Sequence, residues 1–448
     1  MTAHEPRPRD NAPASEPDVA RRFDALDTAL REHEALWRPR PFHGGEPAWQ
    51  AMHPELHAWL CARSDADVEA LEADAEALAV ALARFVPSIA ALPELVALPA
   101  VEPPSPDMAV PIGFEWGIDG RKWAQVRAFA HAVAIPGSDA PAAALRRDGV
   151  AGSDKEMSGG RHAYAHTHAQ ADHFVDWCAG KAHLARWLAH STGTSGIALE
   201  ENANLVAAGN ALARTRNLPV LLHAQDVLAA DAARHLGTGT HAVALHACGR
   251  LHLRLLRIAP ACAVPRLSIS PCCHHLCDDD DSAISVPGRA SPLQLGADEL
   301  HLAVQETVTS GRSRQRQRAQ ESAWRLGFDA LQRQLRGVDA YLPVPSAPRA
   351  LLRLRFQDFV RWAAARKQLA LPAALTLDAF ETDGWRRHAE VSRLALLRHA
   401  FRRVLELRIV FDRAHYLQAQ GYDVRVRTFC TRTQTPRNLL LEGWRSRG

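Results

Sequence analysis

The sequence predicts an α/β chain built on a parallel sheet, with helical segments before it and inserted into it. Three observations carry this. Short apolar runs alternate with helical stretches between residues 170 and 271, the pattern of βαβ units. Helical spacing dominates residues 18–99 and 290–420. A last segment, YDVRVRTFC–TRTQTPRN–LLLEGWR (422–445), returns to strand character around a turn containing Pro436. A hairpin so far from the other strands makes sense when it completes their sheet.

Taken in order, residues 1–17 are rich in Pro, Asp and Glu and are expected to be a disordered tail. A helical N-terminal domain is expected over 18–108, with apolar positions such as Val68, Leu71, Ala75, Leu78, Leu82 and Phe85, and a linker-like VEPPSPD at 101–107. A helix over 120–133 and a polar linker fill 109–155. The α/β core spans 156–290, a basic helical insert 291–392, and a last helix with the hairpin 393–448. Residues 393–420 read as one helix, with Gly421 as its terminating glycine. Within the core, the expected strands are HFVDWC (173–178), GIALEE (196–201), PVLLHAQD (219–226), HAVALHACG (241–249) and RLSISP (266–271).

Composition bounds the function. With 448 residues, the chain is too long for one compact domain on length alone. Residues 301–448 hold 27 Lys+Arg against 13 Asp+Glu, whereas residues 1–300 hold 26 against 37. A basic C-terminal part points to a polyanionic partner; an arginine-rich surface from compositional bias explains it equally well. Eight cysteines are too few for a disulfide framework. The N-terminus has no signal-like apolar stretch, and there is no run of roughly 18 apolar residues to span a membrane. A reducing cytoplasm is the expected compartment, and no membrane partner is expected.

Chemistry-bearing residues recur where the expected strands end. The first strand ends in Asp176 and passes through Cys178 and Gly180 into a helix, a turn that brings backbone N–H groups to a ligand. It is neither GxGxxG nor a P-loop, which argues against a nicotinamide dehydrogenase and against phosphate cradling. The second strand ends in Glu200 and Glu201; Glu200 lies 24 residues after Asp176, close to the roughly 20-residue offset at which an acid accepts from ribose hydroxyls. The third ends in Asp226, placed to accept from an adenine amino group. The fourth gives His246, Cys248 and Gly249; the fifth gives Cys272, Cys273, His274 and His275. Ligands of open α/β sheets bind along that edge. Buried structural residues are the competing explanation for each of these taken singly.

Three readings compete for Cys272, Cys273, His274, His275 and Cys277. A zinc site has the right ligand types, but adjacent ligands cannot all point at one ion and a second, distant pair with finger-like spacing is missing, so no metal is expected. A nucleophilic cysteine activated by histidine is the second. The third, preferred here, is a pocket floor whose backbone and imidazoles shape a substrate site.

DWCAGKAHL, ALHACG and SPCCHH, in that order and spacing, together with TPRNLLLEG (435–443), resemble a family of class I methyltransferase domains. That family has LHxCG and PCC or CCHH strand ends. It includes the domain joined to a glutathione-transferase-like module in animals and the CCHH-bearing tRNA 2′-O-methyltransferases. The segment MSGGRH (157–162) resembles the family's entry segment loosely, and Ala182 stands where a glycine is common. The resemblance implies a seven-stranded Rossmann-like sheet closed by an antiparallel hairpin, and S-adenosylmethionine as cofactor. It implies the methionine end of the cofactor near Asp176, Gly180, Lys181 and His183, with Cys178 in the same turn. It implies the ribose at Glu200 and the adenine near Asp226. It places His246, Cys248, Gly249, Cys272 and His274 around the transferred methyl, with His246, Cys272 and His274 as catalytic candidates. The expected acceptor is RNA, in particular tRNA, held by the basic region 312–336 with Arg312, Arg314, Arg316 and Arg318. A protein or small-molecule acceptor, or a non-catalytic RNA-binding protein on this fold, is the alternative.

Overall fold

The structure is a computed structural model that describes residues 18–45, 47–105, 110–134, 171–305 and 311–445. The expected tail at 1–17, the linker up to residue 155 and MSGGRH (157–162) lie outside these. Among the described residues, seven strands form one sheet: β1 (His173–Trp177), β2 (Gly196–Glu200), β3 (Val220–Ala224), β4 (Thr240–Cys248), β5 (Arg266–Cys272), β6 (Tyr422–Thr428) and β7 (Leu439–Arg445). Their order is β3-β2-β1-β4-β5-β7-β6. The first five strands pair in parallel, while β7 runs antiparallel to both β5 and β6. This is the Rossmann-like sheet with a terminal hairpin that the sequence predicts. Its order reverses between β1 and β4, so the crevice for a ligand lies above the tips of those strands.

Burial explains why the strands read as they do. The central strands β1 and β5 are buried almost continuously, whereas the edge strand β3 alternates, as expected when helices cover both faces only at the centre. One face of the sheet carries Phe174, Ala198, Val243 and Leu440 against the Gly120–Ala134 and His183–Thr192 helices. The other face carries Val175, Leu199, Ala242, Ile269 and Leu441 against the Arg250–Ile258 and Arg402–Ala419 helices.

The N-terminal helices share that second core, which runs from Val19 and Phe23 into the sheet. Their attachment is also polar. Asp27 is buried, accepts from Ser291 Oγ at 2.8 Å and pairs with Arg408 at 3.1 Å. The linker-like segment hooks onto the sheet's edge, with Val101 N–H donating to the Thr428 carbonyl at 2.8 Å.

The insert between β5 and β6 has a core of its own around Trp324, Phe328, Phe356 and Phe359. Its longest helix spans Arg312–Arg336. The single helix expected over 393–420 is two helices, Asp378–His399 and Arg402–Ala419, which break at Ala400 and Phe401. Neither glycine nor proline marks the break. Gly421 does follow the second helix, at φ +82°.

Much of the C-terminal positive charge is internal. Arg408, Arg413 and Arg427 are buried against Asp27, Asp412 and Glu442. Arg333 and Arg387 both pair with the buried Asp329, at 2.9 and 3.0 Å. The exposed arginines of the basic region are those in the first turns of its long helix, Arg312, Arg314, Arg316 and Arg318.

Candidate active site

The turn after β1 is built from left-handed residues. Cys178, Gly180 and Ala182 have φ of +69°, +58° and +54°, a conformation that costs a non-glycine residue about 1 kcal/mol or more. Ala182, where the resembled family has glycine, is fully buried. Strain of this kind persists where the surroundings over-determine it, and it clusters at ligand sites. Gly180 has open space where a Cβ would stand, so a ligand can approach its backbone closely. Beneath the turn, Gly209 admits the Ala203–Thr215 helix, since a Cβ there would lie 3.2 Å from the Lys181 carbonyl oxygen and closer still to Leu222.

The acids predicted at the strand tips converge on this turn. Glu200 accepts from Gly180 N–H at 2.9 Å and from Asn202 N–H at 3.0 Å, one bond to each carboxylate oxygen. It thus ties the tip of β2 to the turn after β1. Asp176 is buried and accepts from Ala185 N–H at 3.3 Å. Burial, reinforced by the Glu200 charge, pushes its carboxyl up to about 7. Asp226 is exposed just past β3 and caps its own turn through Leu228 N–H at 2.8 Å. Lys181 is partly buried in the same turn. His183 opens the following helix and faces Arg186 Nη2 at 2.8 Å. Burial and that guanidinium lower it to about 4, so it is a neutral imidazole.

The tip of β4 carries a bulge at His246, with register shifting between Leu245 and Ala247 and φ +59° at the histidine. A bulge re-aims one side chain, and here it brings His246 Nε2 to 2.9 Å from Gln125 Oε1. Gln125 Nε2 donates to the Gln434 carbonyl at 2.8 Å, which leaves Oε1 as the acceptor. His246 is therefore held with its proton on Nε2. Its Nδ1 is buried and has no partner among the described residues. Burial, then the nearby Arg437, lowers the ring to about 4. The result is a neutral imidazole with a bare, oriented lone pair.

His274, on the far side, is buried with neither ring nitrogen partnered among the described residues, and its ring stands edge-on to His252 at 5.8 Å. Burial and the neighbouring His252 hold it far below the usual histidine range.

Cys248, Cys272 and Cys273 are brought together. Their three sulfurs lie within 4.8 Å of one another. Of the adjacent ligand candidates, Cys272 and Cys273 aim at one point together with Cys248, while His274, His275 and Cys277 do not join them. Cys273 takes φ +47°, which turns its side chain back toward that of Cys272. The chain passes closely above: Gly249, at φ +44°, donates to the Cys272 carbonyl at 3.0 Å, and Arg250 donates to the Leu276 carbonyl at 3.0 Å. His275 leaves this cluster for the rim, with its ring edge-on to His301 at 4.9 Å. Cys277 and the aspartates at 278–281 follow as the chain leaves the strand tips.

Two site residues have no counterpart in the sequence reading. Gln125 comes from a helix before the first strand. Arg437 comes from the Pro436 turn and donates to the Val304 carbonyl at 2.7 Å. Its charge acts on His246, Cys273 and His274. The match of TPRNLLLEG to a closing turn was a usable signal for Arg437; no motif marks Gln125.

Two open surface clefts lie elsewhere. One of about 530 Å³ sits at the opposite ends of β1, β2 and β3, around His173, Gly196 and Val220, and another of about 400 Å³ lies between the N-terminal helices and Arg403 and Arg432. Neither holds an acid–base or thiol grouping comparable to the strand tips, where strain, a buried acid and an oriented imidazole coincide. Among the described residues, no helix is long and apolar enough to cross a membrane.

Residues 159–280 match a family described as a methyltransferase domain. The match spans β1 to β5 and every strand-tip residue of the first five strands. No curated protein matches the chain significantly.

Proposed function

We propose that this methyltransferase domain uses S-adenosylmethionine and delivers its methyl group to RNA. The observation that carries the cofactor is the junction of Glu200 with the strained turn after β1. An acid at the tip of β2, already held by the Gly180 N–H, keeps carboxylate lone pairs for the two hydroxyls of a ribose. The open space over Gly180 leaves room for the ligand's close approach. Asp176 is the buried acid expected to face the ligand's ammonium group, and Asp226 to face its adenine. The bound cofactor supplies an electrophilic methyl group on a sulfonium.

The chain's own contribution is orientation and proton acceptance. Methyl transfer is in-line, so catalysis rests first on positioning. His246, fixed by Gln125 with Nδ1 bare, is the group placed to accept a proton from an acceptor hydroxyl or amine. Cys248 and Cys272 narrow the floor beneath it, and His274, buried behind them, packs that floor.

RNA is favoured by charge and distance. His301, packed on His275, marks the site's rim. Arg312 follows Gln305 by seven residues, a reach of at most about 24 Å. The exposed Arg312, Arg314, Arg316 and Arg318 therefore stand within range of a bound polyanion. Incubation with radiolabelled S-adenosylmethionine and total tRNA tests this. Label that ribonuclease releases supports the proposal. Label that resists ribonuclease and yields to protease replaces RNA with a protein acceptor.

A further inference from the structure

The tips of β4 and β5 hold three thiols in a geometry that hydrogen bonding alone does not call for. Cys248 and Cys272 are neighbours in register, with their sulfurs 3.3 Å apart. Cys273 adds a third sulfur within 4.8 Å of both, at the expense of a left-handed backbone. All three are free thiols. A thiol is a weak donor and a weaker acceptor, so the cluster satisfies itself poorly. Thiolates around a tetrahedral zinc ion, each about 2.3 Å from it, lie about 3.8 Å apart. The Cys248–Cys272 separation of 3.3 Å is about 0.5 Å short of that spacing and the other two are at most 4.8 Å, so side-chain shifts of about 1 Å or less reach it.

We propose that Cys248, Cys272 and Cys273 bind one thiophilic divalent cation, zinc, as three thiolates. Binding converts three thiols to thiolates and releases three protons to solvent. The Arg437 guanidinium acts on Cys248 and Cys273 and offsets the single net negative charge of the loaded cluster. Cys272 is buried, while Cys248 and Cys273 are half-buried. The outer side of the cluster thus faces the crevice, and a fourth coordination position opens there. Three protein ligands with one open position is the arrangement of reactive rather than closed zinc sites.

The proposal stands apart from the cofactor reading, because metal binding is measured without S-adenosylmethionine. Full-length protein purified without chelator is assayed for metal content, then stripped and titrated with Co(II). About one zinc per chain is expected, with a sulfur-to-cobalt charge-transfer band on substitution and release of about three protons in weak buffer. Cys273→Ser is expected to lower occupancy under chelator competition about 10-fold or more, while Cys61→Ser, at an exposed site, leaves it unchanged. Should Cys273→Ser fail to fold, the cobalt spectrum and proton count of the wild type decide. A folded wild type that takes up neither ion, or that binds cobalt without the thiolate band, overturns the proposal.

Discussion

Gln125 Oε1 lies 2.9 Å from His246 Nε2, although 121 positions separate the two residues. The bond fixes which nitrogen of the imidazole carries the proton. Gln125→Ala is therefore expected to lower kcat about 10-fold to 100-fold, a part of what a positioned base supplies. Affinity for S-adenosylmethionine should stay within about 3-fold, since the hydrogen-bond partners of Gln125, His246 and Gln434, lie outside the β1 turn. Gln125→Glu, which still accepts from Nε2, should restore part of the rate. Equal losses in both variants would reduce Gln125 to a packing role.

Asp176 links pH to both stability and binding. Its folded carboxyl sits near 7, above the unfolded value of 3.8. The folded state thus holds the proton more tightly, and stability present at low pH is lost as pH rises through about 7. The ionised folded form carries a cost on the order of 4 kcal/mol. Asp176→Asn should raise the melting temperature at pH 8 more than at pH 5. In the wild type, binding of the cationic cofactor should tighten between pH 6 and pH 8, and the variant should lose that slope. Calorimetry across this range reads both, and a slope retained in the variant would assign it to another group.

Gly249 holds the β4 tip against the loop after β5. A Cβ there would stand 2.0 Å from the Leu276 carbonyl oxygen, on a backbone at φ +44°. Gly249→Ala is expected to cost about 3 kcal/mol or more, combining strain with displacement of the loop. Urea denaturation measures it; a cost below about 1 kcal/mol would mean the loop yields freely.

The exposed arginines predict a salt-dependent effect. Replacing Arg312, Arg314 and Arg316 together by Ala should weaken RNA binding and lower the slope of log affinity against log salt by about 2 to 3. Rates on an acceptor mononucleotide should not change. An unchanged salt slope would remove this helix from the RNA path.

The sheet was legible because its central strands are short apolar runs buried on both faces, each ending in an acid, cysteine or histidine that the core has no use for. Asp176, Glu200 and His246 stood out for that reason. Gln125 and Arg437 did not, since each reaches the site from a distant segment and only folding makes them neighbours. The meeting of Cys248 with Cys272 and Cys273 was not legible from local sequence. Spacing along the chain cannot show that Cys273 takes a left-handed φ and turns toward Cys272. The basic C-terminal part was legible as charge but not as role, because ion pairs such as Arg408–Asp27 and Arg427–Glu442 consume it internally. The break at Ala400 and Phe401 carries no residue that would announce it.

The central claim is the cofactor, and calorimetric titration of the purified protein with S-adenosylmethionine and S-adenosylhomocysteine tests it most directly, alongside Glu200→Ala. Saturable one-site binding of both ligands, weakened about 10-fold or more by the substitution through loss of two charge-assisted hydrogen bonds, is the expected result. A well-folded wild type that binds neither ligand, or a Glu200→Ala variant that binds as tightly as the wild type, would contradict the account.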